Sequence, residues 1–302
     1  MPDYFSPFDA PGLRNPMLVA AFKGWNDAAE AASSSIRYLV REWSAATLTT
    51  MDTEDFYVYT ETRPRVRLRD GFSREIEWPS LKVYTYVDDT LARDVVLLVG
   101  HEPQLRWPTF TRELLALLDR LGVGEVALLG ALLADVPHTR PQRLGGSASD
   151  EGLRERLRAL DVSLSRYEGP TGIVGVLQDA CGRAGLPTVS LWGNVPHYIT
   201  ASPNPQVSLA LLRQLGALSG LTVNLRTLEG QSRRFRARVD EAIAQSPEAS
   251  IYVRELEGRE GEEDVPGEER SSLPTGPEVV RALEEYLREQ RSDGDEGDED
   301  EE

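Results

Sequence analysis

Residues 167–198 read YEGPTGIVGVLQDACGRAGLPTVSLWGNVPHY and contain the clearest pattern of secondary-structure elements in the chain. A Gly/Pro-rich loop at 168–172 is followed by an amphipathic helix, a Gly-Leu-Pro turn, an apolar strand and a polar loop. The apolar residues of the helix recur at the three- and four-residue spacing of one helical face. A buried strand after such a helix is typical of domains in which helices cover a parallel sheet, so the stretch predicts the α/β class.

Other continuous apolar runs predict further strands that are covered on both faces, at 17–22, 95–100 and 125–130. Short segments in which apolar and polar residues alternate predict strands at 47–51, 56–59, 65–68 and 83–87, some of them a hairpin or an edge that is exposed on one face, and the block as a whole is expected to widen the sheet. The Gly/Ser-rich residues 142–152 predict a mobile loop. The pattern as a whole predicts a three-layer α/β/α core.

A chain of 302 residues can bury a large core in one domain and still carry an appendage. We assign residues 1–220 to the α/β core, in which Asn204 caps a Leu-rich helix that begins at Pro205. Residues 221–291 form a helical C-terminal region, with helices at 227–245 and 277–289 and an acidic linker at 258–276. The acidic residues 292–302 are expected to be disordered and dispensable for folding, because they contain no apolar side chain.

The net charge of −17 lies almost entirely near the C-terminus. Residues 255–302 hold 20 Asp/Glu and 5 Lys/Arg, which leaves 30 and 28, or a net charge of −2, for residues 1–254. A nearly neutral body argues against nucleic acid as a partner. One cysteine excludes an intramolecular disulfide, no leader peptide is recognisable, and no apolar run reaches the roughly 20 residues that span a membrane. We therefore expect a cytoplasmic protein without a membrane partner.

Three histidines, His101, His138 and His197, each follow a predicted buried strand by a few residues. Ligands of open α/β sheets bind outside the carboxyl ends of the strands, and the loop at 168–172 opens a helix whose free N–H groups favour an anion. These arguments give ten ligand-binding candidates: Trp25, Asn26, His138, Glu168, Gly169, Thr171, Gly172, Asn194, His197 and Tyr198. Each has a structural alternative. The histidines can hydrogen-bond their own loops, Trp25 can cover the core, and Asn26 with Asp27 can cap a helix in a capping box closed by Glu30.

Motifs of known catalytic and nucleotide-binding sites are missing from the sequence: G-x-S-x-G, G-x-x-x-x-G-K-[ST], G-x-G-x-x-G, H-E-x-x-H and C-x-x-C. We predict no catalytic residue, no cofactor and no metal site, although His-plus-carboxylate metal binding at Glu102, Asp135 and Glu168 stays open. Cys181 lies on the apolar helical stripe, which predicts a buried residue and not a nucleophile. The arginines at 233, 234, 236 and 238 predict a solvated face, or a surface for an acidic partner or the chain's own tail.

Five phrases in this order resemble the second-type proteasome assembly chaperone family, and its actinobacterial members most. They are GWNDA at 24–28, EP at 102–103 with Trp107 and Phe110, LGA at 129–131 with DVPHTRP at 135–141, YEGPTGI at 167–173, and GLP at 185–187 with PHY at 196–198. The resemblance implies an α/β core similar to that of purine nucleoside phosphorylases and peptidyl-tRNA hydrolases, followed by C-terminal helices. It also implies a homo-oligomer, an expectation that the apolar helix after Pro205 supports.

Archaeal and eukaryotic members of that family help to assemble the proteasome α-ring, and some dock through a tail that ends in a hydrophobic residue, a tyrosine and any last residue. This chain ends Asp300-Glu301-Glu302, so docking of that type is not expected.

Two hypotheses follow. The first is a non-enzymatic oligomeric scaffold or assembly chaperone, for the proteasome or for another complex. The second is a small-molecule-binding protein, or a hydrolase- or phosphorylase-like enzyme, that uses the cleft at the strand ends. A deep cleft in which His138, His197 and Glu168 converge favours the second, whereas a filled cleft and an exposed apolar patch favour the first.

Overall fold

The computed structural model describes residues 4–259, and its centre is an eight-stranded sheet. The strands are β1 (Met17–Lys23), β2 (Ala46–Met51), β3 (Arg65–Arg69), β4 (Ser73–Glu77), β5 (Leu81–Tyr86), β6 (Val95–His101), β7 (Glu125–Ala134), β8 (Leu144–Ala148), β9 (Ser163–Leu164) and β10 (Thr188–Pro196). The helices are α1 (Ala31–Glu42), α2 (Trp107–Arg120), α3 (Glu151–Ala159), α4 (Ile173–Arg183), α5 (Pro205–Ser219), α6 (Arg226–Gln245) and α7 (Pro247–Arg259). A single 3-10 turn, Ala28–Glu30, precedes α1.

The large sheet has the order β2-β5-β6-β1-β7-β10-β8-β9, while β3 and β4 form a separate two-stranded sheet. The four central strands, β6, β1, β7 and β10, are parallel, and β5 and β8 flank them in antiparallel orientation. These central strands contain the continuous apolar runs of the sequence. Their burial on both faces explains why the runs do not alternate with polar residues.

Helices cover both faces of the sheet. One apolar cluster joins the first face to α1, α3 and α5, and a second joins the opposite face to α2 and α4. The helix α5 begins as the sequence predicts, because the side-chain oxygen of Asn204 accepts hydrogen bonds from the amides of Gln206 (3.1 Å) and Val207 (3.2 Å). The predicted three-layer α/β/α class is therefore confirmed.

The C-terminal helices α6 and α7 build a third apolar cluster on Tyr198 and Ile199, just after β10. This cluster contains Phe235 and Val239 of α6 and Tyr252 of α7. Helix α7 was not predicted from the sequence. The predicted helix at 277–289, and most of the acidic linker at 258–276, lie outside the described residues. The leucines of α5 are buried within the chain itself, so they supply no surplus apolar surface for a partner.

Two predicted elements are wrong, and a third, the strand at 65–68, forms a hairpin with β4 and does not widen the large sheet. Residues 56–59 form turns and not a strand, since the amides of Phe56 and Tyr57 both donate to the carbonyl of Thr53 (2.9 Å each). Their aromatic rings are buried, and burial explains a composition that resembles a strand. Residues 144–148, expected within a mobile loop, form β8 along β10. A Cβ on Gly146 would lie 2.8 Å from the carbonyl oxygen of Ser190, so this glycine permits close strand approach.

The capping prediction at the start of α1 is partly right. One carboxylate oxygen of Asp27 accepts hydrogen bonds from the amides of Ala32 (2.8 Å) and Ser33 (3.1 Å). Glu30 does not close a capping box, because its carboxylate pairs with Lys23 (3.1 Å) and Arg37 (2.7 Å). The 3-10 turn moves the helix start by one turn and so changes which amides Asp27 reaches.

Substitution of Gly100 in β6 tests how closely β6 packs against β5. An alanine Cβ there would lie 2.8 Å from the Cα of Leu81 and 3.0 Å from the carbonyl oxygen of Ser80, and the backbone of β5 cannot rotate away. We expect Gly100→Ala to lower the free energy of unfolding by about 1–3 kcal/mol. Gly12→Ala is the matched control, because nothing lies within 4 Å of its added methyl group. Denaturant titration that found equal stability for both variants would contradict this packing.

Candidate functional site

Asn26, immediately beyond β1, joins the central strand to the start of α4. Its side-chain amide donates to Oε1 of Glu102 (2.8 Å), and the same oxygen accepts the backbone amide of Ile173 at the first turn of α4 (2.7 Å). The free N–H groups at this helix start were predicted to hold an anion. The carboxylate of Glu102 supplies that negative charge from within the chain.

Gly172 packs directly on Asn26. A Cβ at Gly172 would lie 2.4 Å from Oδ1 of Asn26, so only glycine lets the loop approach so closely. Oδ1 of Asn26 and Oδ2 of Asp27 are both buried and have no hydrogen-bond partner among residues 4–259. Burial raises the pKa of Asp27, while hydrogen bonds from Ser33 and Ala32 oppose that rise. The junction is a dense contact between loop and strand end.

His138 is buried beneath α6 and is bonded at both ring nitrogens. Nδ1 lies 2.7 Å from the hydroxyl of Tyr198, and Nε2 lies 2.9 Å from Oδ1 of Asp240 on α6. The backbone amide of His138 also donates to the Tyr198 hydroxyl (2.8 Å). A neutral ring with its proton on Nε2 satisfies all three bonds, since Tyr198 then donates to Nδ1. Burial lowers the pKa of His138, although the Asp240 carboxylate opposes that effect.

His197 is bonded in the same manner, but to α7. Its Nδ1 lies 2.9 Å from a carboxylate oxygen of Asp135, and its Nε2 lies 3.0 Å from the hydroxyl of Tyr252. The hydroxyl of Thr139 donates a short hydrogen bond to Glu257 on α7. Polar groups beyond β7 and β10 are therefore engaged by the two C-terminal helices.

The ten candidates fall into two separate groups. Asn26 and Gly172 meet at the Glu102 junction, and His138, His197 and Tyr198 meet beneath α6 and α7. The other candidates lie outside both contacts. The side chain of Trp25 is 66% exposed, Glu168, Gly169 and Thr171 are exposed, and Asn194 lies within β10, where its amide donates to the carbonyl of Arg143 (3.2 Å). Gly172, at the end of the loop, contacts Asn26 beyond β1, and the adjacent Ile173 bonds Glu102 beyond β6. His197 and Tyr198 instead contact α6 and α7.

An arginine-lined groove of about 440 Å³ is a further concavity, and it was not predicted from the sequence. It lies between α1, residues 201–205 and α6, and its basic residues are Arg37, Arg41, Arg234 and Arg238. Each helix contributes two arginines spaced by four residues, which places both on one helical face. The spacing was visible in the sequence, but the juxtaposition of α1 with α6 was not.

Within residues 4–259, no three His, Cys, Asp or Glu side chains are grouped so that they could hold a metal ion. Over the same described range, no helix is long and apolar enough to cross a membrane. Burial raises the pKa of the Cys181 thiol, as expected for a core cysteine.

These features define a three-layer α/β protein in which the chain's own C-terminal helices cover part of the strand-end edge. The chain belongs to the PAC2 family, whose sequence model matches residues 21–243. The match includes both groups of candidate residues and all of α6 except its last two residues. Comparison with curated proteins finds no match.

Solved structures agree with this assignment. A PAC2 family protein from Streptomyces avermitilis is 45% identical, with 79% of this chain and 99% of that chain covered and a TM-score of 0.72. A proteasome-assembly chaperone homologue from Mycobacterium tuberculosis is 43% identical, with 78% and 99% covered and a TM-score of 0.72. The archaeal proteasome activator PbaB from Pyrococcus furiosus shares the fold at 16% identity, with 78% and 97% covered and a TM-score of 0.63.

The hydroxyl of Tyr198 makes two hydrogen bonds to His138, and a substitution can test their contribution to stability. Tyr198→Phe removes a buried acceptor and donor, leaving the amide and Nδ1 of His138 without their partner. We expect a loss of about 1–3 kcal/mol in the free energy of unfolding. Tyr167→Phe is the control, since that hydroxyl bonds the carbonyl of Pro170 (3.0 Å) on an exposed loop. Denaturant titration would contradict the network if the two variants lost equal stability.

The lowered pKa of His138 predicts a dependence of stability on pH. Its ordinary value is 6.5, and the folded value is lower, so the unfolded chain binds a proton more readily. Stability is then complete above about pH 6.5 and is lost as the pH falls toward the folded pKa. His101, whose pKa burial also lowers, contributes with the same sign. We expect denaturant midpoints to fall between about pH 7.5 and 5.5, and to fall less in His138→Gln. An equal decline in both proteins would contradict the assignment.

Proposed function

We propose that this chain is a non-enzymatic, homo-oligomeric scaffold that assists the assembly of a multi-subunit protein complex, with the proteasome as the first candidate. The observation that carries the proposal is the hairpin of β3 and β4, called here the apolar hairpin. It forms its own two-stranded sheet and presents large apolar side chains to solvent.

The two faces of the apolar hairpin differ in chemistry. Val66 pairs with Ile76 across the strands, and Leu68 pairs with Arg74, so these side chains share one face. Val66 is 59% exposed, Leu68 61% and Ile76 53%. At the tip, residues 70–72 connect the strands, Asp70 and Gly71 both have positive φ, the amide of Phe72 donates to the carbonyl of Arg69 (3.2 Å), and Phe72 is 92% exposed.

The opposite face of the apolar hairpin is basic on one strand and acidic on the other. Arg67 contacts Glu77 (2.5 Å), and Arg69 contacts Glu75 (3.5 Å), with arginines on β3 and glutamates on β4. Among residues 4–259, β3 and β4 pair with each other alone, so each has one edge without a strand partner in that range. A second copy that added its β4 beside β3 would again place glutamates next to arginines. The hairpin therefore has the charge pattern for pairing between copies of this chain.

Energetics also favour a partner for the apolar hairpin. An isolated two-stranded hairpin is at best marginally stable in water, and a contiguous exposed apolar face on a folded domain usually marks a protein contact. Covering Val66, Leu68 and Ile76 removes apolar surface from water and stabilises the hairpin at the same time.

The strand-end residues support a scaffold more than an enzyme. His138 and His197 are bonded at both ring nitrogens by side chains of the same protein, and Glu102 already neutralises the start of α4. A ring nitrogen that acts in acid–base catalysis must come within hydrogen-bond reach of the substrate, and the His138 ring is only 1% exposed, behind Tyr198 and Asp240. The alternative, a small-molecule protein or a hydrolase- or phosphorylase-like enzyme, would first have to displace these internal contacts.

The choice of complex rests on relatives. The Mycobacterium tuberculosis protein, at 43% identity, is described as a proteasome-assembly chaperone homologue, and the Pyrococcus furiosus protein as a proteasome activator. We extend the first description to this chain as a hypothesis. A cytoplasmic location is part of the same hypothesis.

Oligomerisation through the apolar hairpin is directly testable. We expect light scattering at roughly tens of micromolar to give a mass above that of one chain, and the double variant Val66→Thr with Ile76→Thr to shift it toward a monomer. Val87→Thr with Ile251→Thr is the matched control, because these residues are 56% and 48% exposed outside the hairpin. A monomeric unmodified protein, or equal masses for both double variants, would refute the hairpin contact.

Binding to proteasome subunits tests the choice of complex. We expect native mass spectrometry of the full chain with the α-subunits of the host proteasome to show a complex at micromolar concentration. Bovine serum albumin serves as the unrelated control protein. Failure to bind α-subunits, alongside a normal oligomer, would reject the proteasome while leaving the scaffold hypothesis in place.

A further inference from the structure

The arginine-lined groove is basic, and nothing in the chemistry of the strand-end site accounts for it. Its four guanidinium groups belong to Arg37, Arg41, Arg234 and Arg238, and no carboxylate is among the residues that line it. Arg37 is already paired with Glu30 (2.7 Å). Arg41, Arg234 and Arg238 make no ion pair within residues 4–259.

Like charges brought together on two facing helices repel each other unless an anion lies between them. The floor of the groove is formed by Tyr38, Leu228 and Phe235, which are buried, and these side chains keep the cationic rim close to a surface of low polarity. Such a surface strengthens the attraction of the rim for negative charge. The ligand that suits the groove is therefore anionic and elongated.

The chain contains such a ligand outside the described residues. Residues 292–302 read SDGDEGDEDEE, with eight acidic residues and no basic one. The 32 residues at 260–291 separate this segment from the end of α7, and an extended chain of that length spans ~100 Å. Residues 260–291 are therefore long enough for the segment to reach α6, against which α7 packs.

We propose that the arginine-lined groove binds the acidic segment 292–302 of the same chain. Carboxylates of the segment pair with Arg41, Arg234 and Arg238, and the unpaired charges on α1 and α6 are thereby neutralised. The contact links the C-terminal segment to the α/β core through ion pairs. Because exposed pairs are screened, it weakens as salt concentration rises.

Disulfide trapping in the full-length protein tests the contact. Gln231→Cys places a thiol in the groove, and Gly297→Cys places one in the acidic segment. The native Cys181 is buried and does not compete. The control pair, Asp119→Cys with Gly297→Cys, places the first thiol on α2, which packs on the opposite face of the sheet from α1. A disulfide forms only where the two Cα atoms approach within about 7 Å.

We expect an intramolecular disulfide at residues 231 and 297, with a yield several-fold above that of the control pair. The yield should fall several-fold between about 0.05 M and 0.5 M salt. Replacing Arg41, Arg234 and Arg238 by Gln should lower it likewise, whereas replacing the same three by Lys, or the exposed Arg166, Arg226 and Arg233 by Gln, should leave it near the starting value.

Several results would overturn the proposal. Equal yields for the groove and control pairs, or a yield insensitive to salt and to the groove arginines, would show that the contact is not specific. A disulfide between two chains would assign the groove to the segment of a second copy. A higher yield with Gly261→Cys than with Gly297→Cys would assign it to the acidic residues that follow α7. If phosphate stabilised the protein equally with and without charge in residues 292–302, the groove would be a small-anion site.

Discussion

The hydrogen bonds of the Tyr198 hydroxyl hold together the sheet edge at which β7 and β10 end. The hydroxyl accepts the amide of His138 and bonds the ring of the same residue, so the loop after β7 and the end of β10 are held by one oxygen atom. His138 in turn reaches Asp240 on α6, and the rings of Tyr198, His197 and Tyr252 pack edge to face beneath α7. The two C-terminal helices are thus part of the edge where an α/β enzyme would bind its substrate.

A second constraint, the Glu102 junction, accounts for the other half of that edge. The carboxylate joins Asn26, beyond β1, to the first turn of α4, and Gly172 permits the close approach. In open α/β sheets, ligands bind at this edge. Here Asn26, Glu102 and Gly172 contact other parts of the same chain. The two surfaces proposed for binding, the apolar hairpin and the arginine-lined groove, contain none of these three residues.

Sequence patterns predicted the central sheet well, because β1, β6, β7 and β10 are buried on both faces and carry uninterrupted apolar runs. The cap at Asn204 was equally visible, since it depends on neighbouring residues alone. Long-range contacts were not predictable. Only the folded chain shows that Glu102 occupies the start of α4, that Asp240 reaches His138, or that arginines of α1 and α6 share a groove. Residues 56–59 were wrongly predicted to be a strand, because buried aromatic residues in a turn have the composition of a strand.

The separation of the apolar hairpin from the large sheet has an evolutionary consequence. Because β3 and β4 hydrogen-bond to each other and to no strand of the eight-stranded sheet, residues 65–77 can change without altering the register of the core strands. Loops that project from a rigid scaffold tolerate substitution and insertion more readily than the elements that they connect. Relatives with the same core can therefore diverge in subunit number or in partner by exchanging this one module.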